Sequence, residues 1–436
     1  MKKFPICFWN YATFDQMGEN PVKDWVDAGF TMALSPVFRT GIDKPERMVK
    51  LLDECLENNI SVIIDDKRCK WDGAIENEEN YRKNFAEMVK QFGNHEAVYG
   101  FYVGDEPRAD KMDVAIKAVK IQKEICPGKE PFINFNPYYD GNEASLGGVD
   151  FETWAHGFIE KSGIKQFSYD AYDQLNPDDA THRGINFYYM NLFKYTAAAK
   201  RENLPLWVTN LAVGHFRFRC PTEDDLRWQL NTTVASGANG AWWFFLYLRF
   251  PRINYRLAPI DECGRRTENY ERLARIQNIF GHQFGELFTN LIHDETYHTG
   301  LSFGGYPLLS YKTHKYLKEV EPKNGMPGLV SFFHTREKDI YMAFVNNSQT
   351  ESDCFKFTFT KNVKEIYRVV YGLTPEKTVL TEKDKDYPVI KTVNGSFEVN
   401  CLKNDNANNC YSNNGEFHNE AWLAPGQMEV YRLVTE

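Results

Sequence analysis

Nine cysteines are spread through the 436 residues with no Cys-x-x-Cys pair among them. That absence, and the odd count at Cys7, Cys55, Cys69, Cys126, Cys220, Cys263, Cys354, Cys401 and Cys410, exclude a zinc ribbon and a dense disulfide framework. Cys401 and Cys410 flank the asparagine-rich stretch 404–409 and are spaced to close a loop; the competing expectation is that all nine are reduced and mostly buried. Blocks of consecutive lysine and arginine are lacking too, and the formal net charge is -9. Nucleic acid is therefore not an expected partner. The longest apolar stretch, 241–248, falls far short of the roughly 20 residues that cross a bilayer, so no membrane partner is expected either. No apolar run ending in small residues follows the basic tip Met1-Lys2-Lys3. As it stands the sequence reads as cytoplasmic, and as periplasmic or secreted if a leader preceded it.

Two chemical motifs are missing. Where a dinucleotide-binding sheet would carry a glycine-rich phosphate loop after its first strand, this chain has Phe8-Trp9-Asn10-Tyr11, which disfavours a doubly wound fold. There is no His-Glu-x-x-His helix, and adjacent Asp65 and Asp66 would point to opposite faces of a strand, so no metal and no cofactor are expected. What is present in excess is aromatic: 32 Phe, 9 Trp and 24 Tyr make 15% of the chain. Those rings are either core filler or a ligand-stacking surface.

Short β-rich runs alternate with amphipathic helical patterns from residue 4 to about 290, the mark of a parallel α/β fold. Eight strands are predicted, at 4–10, 30–36, 60–65, 98–104, 132–136, 166–170, 206–211 and 241–248. Helical periods fall between them at 46–57, 81–92, 112–126, 187–201 and 222–236, and a last one at 268–280. Eight such units predict a (β/α)8 TIM barrel over residues 1–290. After residue 291 the chain turns β-rich, with runs such as 329–334, 340–346, 355–359 and 427–433, and predicts a smaller all-β sandwich over 291–436 as an accessory domain. Thr222-Glu223-Asp224-Asp225 reads as a helix cap with an acidic first turn, which explains those carboxylates without chemistry.

Barrel sites lie at the C-terminal strand ends, and here those ends are rich in carboxylates. The third strand runs into Asp65-Asp66-Lys67-Arg68, the fourth into Gly104-Asp105-Glu106-Pro107, and the sixth into Tyr169-Asp170-Ala171-Tyr172-Asp173. Strand five offers Asn134 and Asn136, strand seven Asn210 and then His215. The rings Trp9, Tyr11, Tyr138, Tyr139, Tyr172, Trp242, Trp243 and Tyr247 stand at or near the same ends. Flat apolar faces of sugars suit such rings, with carboxylates and amides gripping hydroxyls. The expected substrate-binding residues are Trp9, Asn10, Asp66, Asp105, Asn136, Tyr138, Tyr172, Asp173, Asn210, Trp243 and Tyr247. Phe101, Phe132, Phe167 and Phe244 are expected only to pack. His215 and His182 are read as surface or satisfied core residues, with binding a hydroxyl or orienting a carboxylate as the other options.

Cleaving a glycosidic bond takes two carboxyl groups, one protonated to assist the leaving oxygen and one ionised as nucleophile or base. Glu106 is the expected acid: it follows an apolar run, and neighbouring Asp105 together with desolvation would raise its pKa. A helix cap or an ion pair with Arg108 is the competing reading. The segment Gly100-Phe101-Tyr102-Val103-Gly104-Asp105-Glu106-Pro107 resembles the strand-four signature of clan A glycoside hydrolases and their gut-bacterial relatives, in which the Glu before Pro is the general acid/base. The approach to strand eight, Ser236-Gly237-Ala238-Asn239-Gly240-Ala241-Trp242-Trp243, resembles the β-galactosidase-like branch. The resemblance covers about the first 290 residues.

This chain departs from that pattern twice. Asp105 stands where the clan has an Asn that contacts the sugar 2-hydroxyl, and the strand-seven run Trp207-Val208-Thr209-Asn210-Leu211 lacks the clan's nucleophile Glu. Asp170 is the expected substitute, followed by Asp173 and Asp66. The reading is thus a glycosidase acting on an oligo- or polysaccharide, with Glu106 and Asp170 catalytic. The alternative is a catalytically silent carbohydrate-binding barrel. An aldolase-like chemistry would need a metal or a rim lysine, and the one obvious lysine, Lys67, has acidic neighbours that raise its pKa instead of lowering it. The expected partner is carbohydrate, with assembly into a homo-oligomer left open.

Overall fold

The computed structural model describes residues 3–176, 183–248, 254–371, 390–400, 411–413 and 416–435. His182 and the loop expected between Cys401 and Cys410 lie outside the described residues. The other seven cysteines are free thiols.

The apolar runs fold into eight strands: β1 (Ile6–Phe8), β2 (Met32–Leu34), β3 (Ser61–Ile64), β4 (Val98–Asp105), β5 (Glu130–Asn134), β6 (Phe167–Asp170), β7 (Leu206–Leu211) and β8 (Gly240–Phe244). They pair in parallel in the orders β1-β8-β7-β6 and β2-β3-β4-β5. Two backbone bonds close the seams between these arcs, Thr31 N donating to Ile6 O and Phe135 N to Ser168 O. Helices α1 (Pro21–Asp27), α2 (Pro45–Glu57), α3 (Trp71–Glu76), α4 (Glu78–Met88), α5 (Ala109–Ile125), α6 (Phe151–Ser162) and α7 (Arg183–Arg201) fill the crossovers. The chain is therefore a (β/α)8 barrel of the kind the alternation predicts. Helices α1, α3 and α6 are additions to the expected helical periods.

Barrel interiors are usually filled by branched aliphatic side chains. This one is filled largely by rings: Trp9, Tyr102, Phe132, Trp207 and Trp242 share the interior with Met32, Leu34 and Ile63. Phe132 stacks on Trp242 at 4.4 Å, nearly parallel. Much of the aromatic surplus is thus spent inside the strands.

The chain divides into two compact units, one of residues 5–221 and 238–275, the other of 1–4, 222–237 and 276–436. Helix α8 (Glu223–Ala235) follows β7 in sequence yet belongs to the second unit. Its start is a capping box, Thr222 Oγ1 accepting from Asp225 N while Asp225 Oδ2 accepts from Thr222 N, so these acids act locally. Leu226, Trp228, Leu230 and Val234 are fully buried. Within the unit the helix is held by Trp228 Nε1 donating to Asn347 Oδ1 at 3.0 Å and by Asn231 Nδ2 donating to Gly426 O at 2.9 Å.

Helix α9 (Glu268–Phe280) runs from the first unit into the second, and after α10 (Glu286–Asn290) the rest of the second unit is a pair of sheets. Its strands are β9 (Ile292–Thr299), β10 (Leu317–Pro322), β11 (Gly328–His334), β12 (Ile340–Asn346), β13 (Asp353–Phe359), β14 (Val363–Val370), β15 (Ile390–Val393), β16 (Ser396–Asn400), β17 (Tyr411–Asn413), β18 (Glu416–Leu423) and β19 (Met428–Thr435). They form an antiparallel sheet in the order β15-β16-β14-β19-β12-β11-β9 and a second in the order β10-β13-β18-β17. Alternate residues of the two sheets meet in one core, Val330, Phe332, Met342, Phe344 and Tyr431 from the first and Leu317, Val320, Phe355, Phe357 and Leu423 from the second. This is a β-sandwich. The last strand, β19, sits in the middle of the larger sheet, between β14 and β12.

Candidate active site

The C-terminal end of β4 is shaped by its backbone. The pairing of β4 with β5 slips between Tyr102 and Gly104, a bulge that brings Asp105 opposite Asn134. Gly104 has φ +156°, and a Cβ there would lie 2.5 Å from the Trp71 ring, so only glycine fits. Glu106 follows with φ 51°, in the left-handed region, its N–H held by Asn134 O at 2.8 Å. Bulges and left-handed non-glycine residues re-aim side chains, and both collect at functional sites. Here they turn Asp105 and Glu106 into one cavity.

That cavity, about 500 Å³, is lined by Trp9, Tyr11, Asp105, Glu106, Asn134, Pro137, Tyr139, Asp170, Ala171, Tyr172, Asp173, Phe187, His215, Phe216, Phe218 and Phe244. At its centre two carboxyl groups, those of Asp105 and Asp170, share one amide, and Glu106 lines the same cavity. Asn134 Nδ2 donates to Asp170 Oδ1 at 2.8 Å and to Asp105 Oδ1 at 3.1 Å, while Ser168 Oγ donates to Asn134 Oδ1 at 3.0 Å and fixes the amide's orientation. Two of the acids thus lie within two hydrogen-bond lengths of each other. Burial first, then the charges of Glu106 and Asp105, push Asp170 well above the ordinary aspartate range, with Asn134 and Tyr172 pulling the other way. Glu106 opens onto the cavity but is ringed by protein, and this desolvation raises its pKa against the pull of Arg108. Two such groups titrate as a unit, one proton being retained where two charges cannot both be accommodated.

Of the residues expected from the sequence, Glu106, Asp170, Trp9, Asp105, Tyr172 and Asp173 line this cavity. Seven others do not, for identifiable reasons. Asn10 is fully buried, its amide donating to Leu34 O and its Oδ1 accepting from Ala12 N. Asp66 is buried in an ion pair with Arg68 at 2.7 Å. Asn136 gives its carbonyl to Tyr195 OH. Tyr138 is buried and packs on Phe151. Tyr247 accepts from Trp25 Nε1 at 2.7 Å. Asn210 and Trp243 fall to strand alternation: their neighbours Thr209, which accepts from Trp9 Nε1, and Trp242, which stacks on Phe132, take the interior positions, so the residues one step on face outward.

Phe244, a strand residue whose sequence asks only for packing, does the opposite. It lines the cavity, stacked on Tyr172 at 5.5 Å. Tyr11, Asn134, Tyr139 and His215 were visible at strand ends. Phe187, Phe216 and Phe218 carried no signal, because they come from helix α7 and from the stretch after β7, where no periodicity marks a lining position.

His215 is nearly buried, and burial with the Arg256 charge lowers its pKa to about 4. Asp173 pairs with Arg217 at 3.1 Å. Lys70 salt-bridges Asp65 at 2.8 Å, its ammonium over the Tyr102 ring. Among the described residues no group of three or more His, Cys, Asp or Glu is arranged to hold a metal, and no described helix is long and apolar enough to cross a membrane. One Gly-x-Ser-x-Gly string does occur, at residues 300–304, but it follows β9 in the sandwich. Its Ser302 donates to Tyr306 O, so it is not the strand-to-helix elbow of an α/β-hydrolase.

No protein-family model matches the sequence, and comparison with curated proteins gives no match. Among solved structures, a glycoside hydrolase family 5 protein from Bacteroides vulgatus ATCC 8482 is similar over 99% of this chain and 89% of its own, with a TM-score of 0.55 at 11% identity. Another, described as a glycoside hydrolase, is similar over 99% of this chain and 93% of its own, with a TM-score of 0.55 at 10% identity. A β-galactosidase from Marinomonas ef1 matches 63% of this chain at a TM-score of 0.47 and 12% identity, and the match covers 59% of that enzyme's length. At these identities the likeness is one of architecture: the chain has the TIM-barrel fold of the glycoside hydrolases.

Proposed function

We propose that the chain hydrolyses a glycosidic bond of an oligo- or polysaccharide, with Glu106 as general acid and Asp170 as the second carboxylate. The observation that carries this reading is the ring-lined cavity in which Asp105 and Asp170 share the Asn134 amide and Glu106 joins them in the lining. A pair that holds one proton between two raised carboxyl groups has what hydrolysis needs, an acid and an ionised partner in one place. Glu106 delivers its proton to the leaving oxygen as the bond to the anomeric carbon breaks. Asp170 either attacks that carbon or takes a proton from the attacking water, and the anomeric configuration of the product distinguishes the two. Tyr139 and Phe216, each more than half exposed, present faces for the sugar's apolar side.

The test is hydrolysis of a panel of 4-nitrophenyl glycosides and natural disaccharides by the wild type and by Glu106→Gln. Turnover on at least one substrate, lost in Glu106→Gln where the leaving group needs a proton, is the expected result. Undiminished turnover of such a substrate by Glu106→Gln would sink the assignment.

A second reading, a silent carbohydrate-binding barrel, is favoured by one observation. Strand β7 sends no carboxylate inward: its interior residues are Trp207, Leu211 and Thr209, the last accepting from Trp9 Nε1. Calorimetric binding of a glycan without product after prolonged incubation would select it.

A further inference from the structure

We propose that His215 grips the substrate, as a neutral imidazole whose Nε2–H donates to an oxygen of the bound sugar. The inference rests on the reading of the cavity as a carbohydrate site and adds to it a donor that neither the motif nor the carboxyl cluster supplies. His215 stands beyond the end of β7, where its N–H and carbonyl exchange bonds with Phe218 and fix the backbone. Its ring lines the cavity while being only 8% exposed. Phe216 meets it at right angles with centroids 4.1 Å apart, and Phe244 and Tyr255 close in at 5.4 and 5.2 Å. Among the described residues Nδ1 is enclosed without a hydrogen-bond partner.

A proton on Nδ1 would be a buried donor with nowhere to go, which proteins avoid more strictly than an unfilled acceptor. The ring proton therefore belongs on Nε2. Burial and Arg256 hold the ring neutral down to about pH 4, so near neutrality His215 is too weak a base to strip a proton from water and acts as a donor instead. Complementarity gives that donor a purpose. Asp105, Glu106 and Asp170 mainly accept, and they suit hydroxyl hydrogens. A sugar also offers hydroxyl, ring and bridging oxygens that need donors, and His215 supplies one beside the exposed ring of Phe216.

The test uses the full chain. Ring nitrogen NMR of ¹⁵N-labelled protein should show His215 neutral, with its proton on Nε2, from pH 5.5 to 8 by the placement above; a proton on Nδ1, or titration near the ordinary histidine value, overturns the proposal. On the most rapidly cleaved 4-nitrophenyl glycoside, His215→Phe keeps a ring but loses the N–H. It should raise KM about 3- to 10-fold with kcat within about twofold, and His215→Gln, which restores a donor, should recover part of the loss. A KM unchanged in both variants overturns the assignment and leaves the hydrolase reading standing. If no glycoside is cleaved, calorimetry with lactose, cellobiose and mannobiose replaces the kinetics. Binding weakened by His215→Phe then upholds the grip while hydrolysis falls, and no binding of any of the three overturns both.

Discussion

Asp170 is kept in the folded chain at a cost that its replacement should reveal. Its folded-state pKa lies above the unfolded value of 3.8, chiefly because it is buried and then because Glu106 and Asp105 repel its charge. The folded state therefore binds the extra proton. Its contribution to stability is fully present below the ordinary aspartate value and is lost as pH rises through the raised one. Asp170→Asn removes the charge while its Oδ1 can still accept from Asn134. The expected outcome is an upward shift of roughly 2–4 °C in melting temperature at pH 7 together with loss of turnover, and a melting temperature that declines less with rising pH than the wild type's. An unchanged thermal melt would show that the carboxyl is not strained by its surroundings. If Asp170 attacks the anomeric carbon, azide should restore Asp170→Asn and yield a glycosyl azide of inverted configuration, readable by NMR. Activity has its own pH signature: kcat/KM should fall on the alkaline side as the Glu106–Asp170 pair gives up its shared proton. That limb should vanish from the residual activity of Glu106→Gln on substrates with good leaving groups.

At the level of elements, the turn out of β4 matters more than the strand itself. Gly104→Ala would drive a Cβ into Trp71 in a backbone conformation that L-residues avoid. A loss of about 2 kcal/mol or more is expected, with a fall in kcat because Asp105 and Glu106 are aimed by the same bulge. Denaturant melts and kinetics on one preparation check both. Thr222→Ala, which opens the capping box of α8, should cost about 1 kcal/mol and leave kinetics unchanged, since nothing in that box lines the cavity.

The same scale shows what could be read in advance. The eight strands were legible because apolar runs and helical periods alternate, and Glu106 and Asp170 were legible because carboxylates directly follow β4 and β6. Inward and outward positions were not. Trp242 and Trp243 are chemically equal, and pairing alone decides which one faces the interior; the same holds for Thr209 and Asn210. Asp66 stands at a strand end, but Arg68, two residues on, engages it in an ion pair. Phe216 and Phe218 entered the cavity from a stretch whose local sequence repeats nothing.

On the scale of the whole molecule, order of synthesis meets order of pairing. Strand β19 lies between β14 and β12 in the larger sheet, so both neighbours keep a bare edge until the very last strand of the sandwich has been made. Residues 222–237, translated long before, take one of their bonds, Asn231 Nδ2 to Gly426 O, from just ahead of that strand. Such edges invite pairing with other chains. Removing residues 428–435 should leave a chain that is captured by chaperones or aggregates and does not fold to a smaller stable product, as gel filtration and pulse proteolysis would report. A compact, monomeric truncation would disprove this. The sandwich is thus closed from its middle, and a nascent chain stalled short of β19 would be an aggregation hazard whatever chemistry its barrel performs.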